Sequence, residues 1–399
     1  MNVKKFIGVT AVLYLSSLVS YYAQIKIIDI YGLEMKYYFD LYISYLQITI
    51  TLVIFGLPNA ISIMVSKEKV VPRFIKRYSF ALAALSALIL NLFFLEGNFF
   101  VYILLFSFIF MSLFNDLNTG IMNSIGMFEY PRIWQLFGNA LLLCFVILDP
   151  FNVSLLTGKS QLWYALIFIL IPVLPLFFVL TLGRKFKTTV LTFKSVSMAS
   201  VFKYLNYIYL FSILSIILTR IPYINYSSFI EKHDLAQYTL SISLSNFMVI
   251  PLNLLTLKVL SSSMERKPNV GLLNILLISI VVASALVLNY VSKNFNLLHA
   301  LTNISSPEIL TSTYFLIATA SISSINLSVS LRLQEKLKSF LLLDLLLVGI
   351  VVLITLNLVH EFKNISDYNY TIVIAIFAKI VFQVYFLREK NVHNHNCKL

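Results

Sequence analysis

QIKIIDIYGLEMKYYFDLYISYLQITITLVIFGLPNA, residues Gln24 to Ala60, decides how the chain folds. It holds the end of one long apolar segment, a stretch of about ten polar residues and the whole of a second apolar segment. The polar stretch carries Asp29, Glu34 and Lys36 among Tyr31, Tyr37 and Tyr38. The first segment is too long and too apolar for an ordinary soluble helix. In the second, Ser44, Gln47 and Thr51 recur at i, i+3, i+7 and line one face of a helix. The segment closes on Gly56-Leu57-Pro58-Asn59. The stretch reads as two membrane helices joined by an outer turn, the second with a polar face.

The rest of the composition makes the bilayer the solvent. Of the 399 residues, 59% are hydrophobic and only 12% charged, with a mean hydropathy of +0.88. A soluble protein of that composition would expose far too much apolar surface. Two cysteines, Cys144 and Cys397, make neither a disulfide framework nor a metal cluster. The net charge of +13 is scattered over short loops, a pattern of membrane topology rather than of nucleic-acid binding. The N-terminal apolar run to Ile28 exceeds the core of a signal peptide and lacks a small-x-small cleavage site, so it reads as an uncleaved first helix.

Runs of about 20 apolar residues suffice to cross a membrane. Twelve occur, at 6–28, 39–63, 78–95, 99–125, 133–149, 162–182, 204–223, 236–260, 270–290, 308–331, 340–360 and 367–387. With the N-terminus inside, 22 of the 30 basic residues fall on cytoplasmic segments and six on outer ones. That asymmetry predicts both termini in the cytoplasm. The longest connection, Gly183–Lys203, is basic and divides the chain into near-equal halves. The expected organisation is a six-helix lobe over 1–183, a cytoplasmic linker over 184–203 and a second six-helix lobe over 204–399.

The two halves echo each other. An offset of 199 residues sets Leu41-Tyr42-Ile43-Ser44 on Leu240-Ser241-Ile242-Ser243, Phe39 on Tyr238 and Gln47 on Asn246. Each of these helices later carries a proline, Pro58 or Pro251, and each follows charged residues. Six helices per half give both lobes the same orientation, a parallel repeat about an axis along the membrane normal.

Tyr31-Gly32, Tyr37-Tyr38-Phe39-Asp40-Leu41, Phe55-Gly56-Leu57-Pro58-Asn59-Ala60 and Asp234-Leu235-Ala236-Gln237-Tyr238-Thr239-Leu240 together resemble the Wzx-type polysaccharide flippases of the MATE/MOP superfamily. Tyr37 and Ala236 stand where that family usually has glycine. The resemblance implies an all-α polytopic membrane protein of about twelve transmembrane helices, in two lobes around a central cavity that opens alternately to each side. It implies a bacterial inner-membrane flippase for an undecaprenyl-diphosphate-linked oligosaccharide, an O-antigen or capsule repeat unit. It implies membrane lipids as surroundings, a polysaccharide polymerase and a chain-length regulator as partners, and no cofactor. An ion-coupled multidrug exporter of the same superfamily is the alternative, and a membrane polymerase or ligase a weaker one.

Candidate site residues follow from polar groups placed within the spans, where charge is costly and defaults to function. Arg220 and Lys26 sit near the outer ends of the first helix of each half, as cavity cations or as interfacial residues. Lys379 lies about 13 Å from the nearer end of its helix at 1.5 Å per residue, a long reach for a lysine. It reads as a cation for substrate or as half of an inter-helix pair. Gln24, Gln47 and Asn246 are the polar candidates for sugar contacts. Asp116, within Asn115-Asp116-Leu117-Asn118-Thr119, belongs to the most polar intramembrane cluster. It is a candidate ion-coupling group or a counter-ion to Lys379 or Arg132. Asp344 is a second coupling candidate, with helix-terminal placement as its plainer reading. The five histidines pair with no intramembrane nucleophile or carboxylate at a recognisable spacing, so no catalytic constellation and no metal site is expected.

Overall fold

Each of the six apolar runs in the N-terminal half folds as helix in the computed structural model. The structure describes residues 3–54, 57–68, 75–94, 98–124, 127, 129–150 and 159–182, with 235–236, 238–243, 250, 311–313, 315–320, 369–381 and single positions between 279 and 353. No strand occurs among the described residues. The chain divides into two compact units, Met1–Ile216 and Ile217–Leu399. The expected linker at 184–203 lies outside the described residues.

Helix α1, Val3–Ile54, takes in both of the first two apolar segments. Its apolar part is 48 residues long. At 1.5 Å per residue that is roughly 72 Å, more than twice a hydrocarbon core. The two crossings are separated by Gly32 alone, at φ 83° and ψ 172°. Glycine takes that backbone freely, whereas a Cβ would strain it. The expected ten-residue outer turn is therefore corrected to a single-residue break between arms 3–31 and 33–54. The physical reason is that the charges of this stretch find partners at helical spacing. Lys26 pairs with Asp29 at i,i+3 and Lys36 with Asp40 at i,i+4, so the backbone has no cause to leave the helix. The second expected span, 39–63, is helical at 39–54 and, in helix α2 (Leu57–Glu68), at 57–63; residues 55 and 56 lie outside the described residues. Pro58 stands in the first turn of α2, where its missing N–H costs no helical bond.

Four further stretches complete the unit. They are α3 (Ile75–Phe94), α4 (Phe99–Ser124), α5 (Glu129–Leu148), and the pair α6 (Lys159–Leu170) and α7 (Leu174–Leu182) joined by a 3-10 turn at Ile171–Val173. Asn98 opens α4, its side-chain oxygen accepting from the Phe100 N–H at 2.9 Å. The last pair is the expected span 162–182, interrupted where Pro172 and Pro175 remove two backbone donors.

Packing sorts the helices into two groups. Helix α1 lies along α5 and α6, while α2 and α3 both pack on α4. Contacts of α4 with α6 and α7 join the groups. Tyr102, Phe106, Phe110 and Phe114 stack up one side of α4 with ring centroids 5.9–6.3 Å apart. Phe177 of α7 meets Phe110 and Phe114 edge-on at 5.6 and 5.5 Å. Large apolar side chains such as Leu18, Phe80, Leu92 and Ile133 remain exposed, as the bilayer allows.

Two glycines set the closest approaches. A Cβ on Gly120 would lie 2.6 Å from the Pro58 carbonyl oxygen, and one on Gly138 only 2.2 Å from the Pro172 oxygen. Pro58 and Pro172 are thus each seated on a glycine of a neighbouring helix. In the second unit, residues 235–243 and 369–381 include helical segments. Asn369 Nδ2 donates to Thr313 Oγ1 at 3.4 Å. Leu235, Tyr238, Thr239 and Ser241 of that unit are buried.

Gly138→Ala is expected to lower the thermal unfolding midpoint of the detergent-solubilised protein, at a cost of about 1–3 kcal/mol from overpacking. Gly8→Ala has open space at its Cβ and is expected to leave that midpoint unchanged or raise it. Equal midpoints for the two variants would refute the seating of the Pro172 turn on Gly138.

Candidate functional site

Arm 33–54 of α1 presents two adjacent faces. Met35, Phe39, Tyr42, Leu46, Ile50 and Ile54 form the apolar face and belong to the hydrophobic core. Beside it, Lys36, Asp40, Ser44, Gln47 and Thr51 fall within an arc of about 80° at roughly 100° per residue. The stripe extends about 22 Å from Lys36 to Thr51. Its exposure changes along its length: Lys36, Asp40 and Ser44 are buried, whereas Gln47 is exposed.

The Lys36 side chain is fully buried, and its ammonium contacts the Asp40 carboxylate one turn on. Lys36 Nζ also stands 5.8 Å from the centre of the Phe39 ring, within range for cation–π attraction. Ser44 Oγ donates to the Asp40 carbonyl at 2.8 Å, tying the next turn to the pair. Taking two charges out of water costs several kcal/mol per ion, and their attraction returns only part of it. A pair in this position is therefore a weak source of stability and a strong candidate for function.

Neighbouring contacts fix the arm in place. Tyr31, the last residue before the break, donates to the Val146 carbonyl at 3.0 Å and to Asp149 Oδ1 at 3.1 Å. Its ring meets Phe168 at 5.4 Å. Deeper in the bundle, Asn139 Nδ2 donates to Ser16 O and Ser16 Oγ at 3.1 and 3.0 Å, joining α5 to the first arm.

The expected site residues separate on this frame. Gln47 lies on the stripe, about three turns from Lys36. Gln24 and Lys26 lie on the other arm, across Gly32, and are half-buried. Lys26 Nζ is 3.0 Å from Asp29 Oδ2 and 5.6 Å from the Tyr22 ring centre, so an acid already answers this cation. Asp116 is exposed on α4. Two amides of its cluster serve packing: Asn115 Nδ2 donates to the Val173 carbonyl at 3.0 Å and Asn118 Nδ2 to the Phe114 carbonyl at 2.7 Å. Lys379 is half-buried on the helix at 369–381 of the second unit. Arg220, Asn246 and Asp344 lie outside the described residues.

Sequence reasoning missed Lys36 and Asp40 because it assigned one to an outer turn and left the other at a helix opening. The signal was present in their spacing: i and i+4 to each other, and in phase with Ser44, Gln47 and Thr51. Among the described residues, no group of three or more His, Cys, Asp or Glu is placed to hold a metal ion.

Over 96–98% of its length the chain superposes on solved membrane transporters. It matches lipid II flippase MurJ in an inward closed conformation with a TM-score of 0.71 at 13% identity, covering 96% of this chain and 87% of that one. The fold is that of the MOP-superfamily transporters. A MOP-superfamily transporter from Pyrococcus furiosus matches with a TM-score of 0.58 at 15% identity, over 96% of this chain and 95% of that one. The Vibrio cholerae MATE transporter VcmN in its bent form gives 0.60 at 15% identity, over 98% and 99%. No family model matches the sequence, and no curated protein matches it.

Lys36→Met alone is expected to destabilise the protein by about 3–5 kcal/mol, because it leaves Asp40 buried without its cation. Lys36→Met with Asp40→Leu is expected to recover most of that loss. Thermal unfolding in detergent measures both, and a double variant as unstable as the single one would show that the pair itself holds the fold together.

Proposed function

We propose that the protein is a flippase that moves an anionic, lipid-linked oligosaccharide across the bacterial inner membrane by alternating access, with both termini in the cytoplasm. The observation that carries this reading is the polar stripe of arm 33–54, which ends in a buried cation, within a fold shared with a lipid II flippase. Hydroxyl and amide groups suit sugars, and an ammonium suits a diphosphate or an acidic sugar. The resemblance of the sequence narrows the substrate to an undecaprenyl-diphosphate-linked O-antigen or capsule unit. Lys26, Arg220 and Lys379 serve as further cations for the charged head, and Gln24, Gln47 and Asn246 as sugar contacts. The lipid tail stays in the bilayer throughout. Asp116 and Asp344 are the groups through which a proton or sodium gradient drives the cycle. A polymerase and a chain-length regulator act on the product at the outer face.

The second reading, an ion-coupled drug exporter, is favoured by the fit to the MATE transporter VcmN. Drug sites of that kind suit acids facing cationic compounds. Among the described residues, Asp29 and Asp40 already face cations of the protein itself, Lys26 and Lys36.

Deletion of the gene is expected to abolish surface polysaccharide and to accumulate single lipid-linked repeat units on the cytoplasmic leaflet. Susceptibility to cationic drugs should stay unchanged. Accumulation of single units on the outer leaflet would instead indicate a polymerase, and drug hypersensitivity with normal polysaccharide an exporter. Simultaneous Lys26→Gln, Arg220→Gln and Lys379→Gln is expected to reduce polysaccharide export at least tenfold at unchanged membrane abundance; full export in that variant would remove those three cations from the site.

A further inference from the structure

We infer that the turn between α6 and α7 binds a monovalent cation, sodium, through the Asn115 side-chain oxygen and backbone carbonyls of the turn. The inference deepens the flippase reading. It rests on that reading for what the cation drives, and on the contact of α4 with the turn for where it binds.

The sequence creates a shortage of donors at this place. Pro172 and Pro175 have no N–H, and they stand four residues after Phe168 and Ile171. The α-helical bonds to those two carbonyls therefore cannot form. Within the 3-10 turn the Leu174 N–H donates to the Ile171 carbonyl instead. The Phe168 carbonyl has lost its helical donor. Helix α5 adds no side-chain donor against the Pro172 carbonyl, because the residue there is Gly138.

Asn115 reaches the same turn from α4. Its Nδ2 donates to the Val173 carbonyl at 3.0 Å. The residue is only 5% exposed, and among the described residues nothing donates to its Oδ1. Exchanging the two ends of the amide gives no relief, since it would set Oδ1 against the Val173 carbonyl, acceptor on acceptor. The amide that supplies the turn with a donor thus brings to it a buried acceptor that the protein leaves unanswered. Nine residues separate Asn115 from the end of α4, and nine separate Val173 from the end of α7. Both lie roughly 14 Å of helix from those ends, well inside a hydrocarbon core. Irregular backbone at that depth is a common place for transporters to hold an ion, because carbonyls released from a helix point at it.

The chemistry of the oxygens selects the ion. Asn115 Oδ1 and the carbonyls of Phe168, Pro172 and Val173 are acceptors only, and a cation is the ligand that needs acceptors alone. None of them is charged, so nothing in the set offsets the desolvation of a second charge, and the ion is monovalent. Hard oxygen ligands suit an alkali ion rather than a transition metal. A small set of them closes round sodium better than round the larger potassium ion. Asn118 and Thr119 share the face of α4 with Asn115 and are half-buried, which gives the site a more open edge. Asp116, next in the chain, is exposed, and its charge favours a cation beside it.

A cation here acts at a mechanical joint. The contacts of α4 with α6 and α7 join the two helix groups of the unit. Sodium bound between α4 and the turn tightens that joint, and its departure loosens it. The ion gradient thereby acts on how firmly α2, α3 and α4 are held to the rest of the unit.

The test measures thermal unfolding of the full-length protein in detergent, in sodium, potassium or choline chloride at equal ionic strength. Sodium is expected to raise the wild-type midpoint by about 3 °C over choline, with a smaller rise in potassium. Asn115→Leu removes the side-chain oxygen and is expected to lose the sodium response. Pro172→Ala restores a donor for the Phe168 carbonyl, keeps the fold independent of the Asn115 change, and is expected to lose most of the response. Ser79→Ala, on α3, is expected to keep it. A wild-type midpoint no higher in sodium than in potassium or choline would overturn the inference, and so would a full sodium response in both Asn115→Leu and Pro172→Ala. The flippase reading fails separately. If sodium acts through Asn115 and Pro172 as stated but deletion of the gene leaves surface polysaccharide unchanged, the cation site stands and the cargo is a different one.

Discussion

A polypeptide in hydrocarbon must satisfy every backbone polar group within itself, so a membrane helix can be broken only where protein closes over the break. The first unit departs from plain α-helix at Gly32 and at Ile171–Val173, and it opens α2 on the turn that holds Pro58. Each of these places is held by a named contact from a neighbour. Tyr31 ties the first to the C-terminal end of α5 through Val146 and Asp149. At Ile171–Val173 Gly138 meets the Pro172 carbonyl while Asn115 donates to Val173, and Gly120 lets α4 reach the Pro58 carbonyl. The lobe's architecture follows from these three seats. Helix α2 is bound to α4 because Gly120 admits it, and α5 approaches the 3-10 turn because Gly138 does.

The same medium governs how the lobe handles charge. Lys26 and Asp29 are partly exposed and pair near a helix end, where such an interaction is worth little. Lys36 and Asp40, two turns and a glycine later, form the same chemical pair in a buried setting. There the cost of desolvation dominates, and removal of either partner leaves an uncompensated charge. The difference between the two pairs is position relative to Gly32. By ending the first arm in one residue rather than ten, the glycine brings Lys36 into the second helix and hence into the packed interior.

Helix existence was legible in the sequence because the bilayer demands long apolar runs, and the runs at 75–94, 99–124 and 129–148 fall where such counting sets them. The break at Gly32 was not, because a run of polar residues reads as a loop when each charge is counted alone. Paired at i,i+3 and i,i+4, the same residues favour helix. The polar face was legible at Ser44, Gln47 and Thr51 from period alone, and its charged head was lost to the supposed turn. Asp116 shows the opposite limit: composition identified it as unusual, but its polar neighbours are engaged elsewhere. The clustered amides around it misled, since Asn115 and Asn118 are engaged with backbone carbonyls.

A fold shared at 13–15% identity with proteins whose names range from lipid flippase to drug transporter does not carry a substrate with it. What the fold leaves open, the residues must decide. In the first unit Lys36 and Asp40 are buried, although an ionic pair is a more costly filling for a membrane interior than apolar side chains of similar size. An ammonium in that setting can do one thing that a leucine cannot: meet an anion that arrives from water.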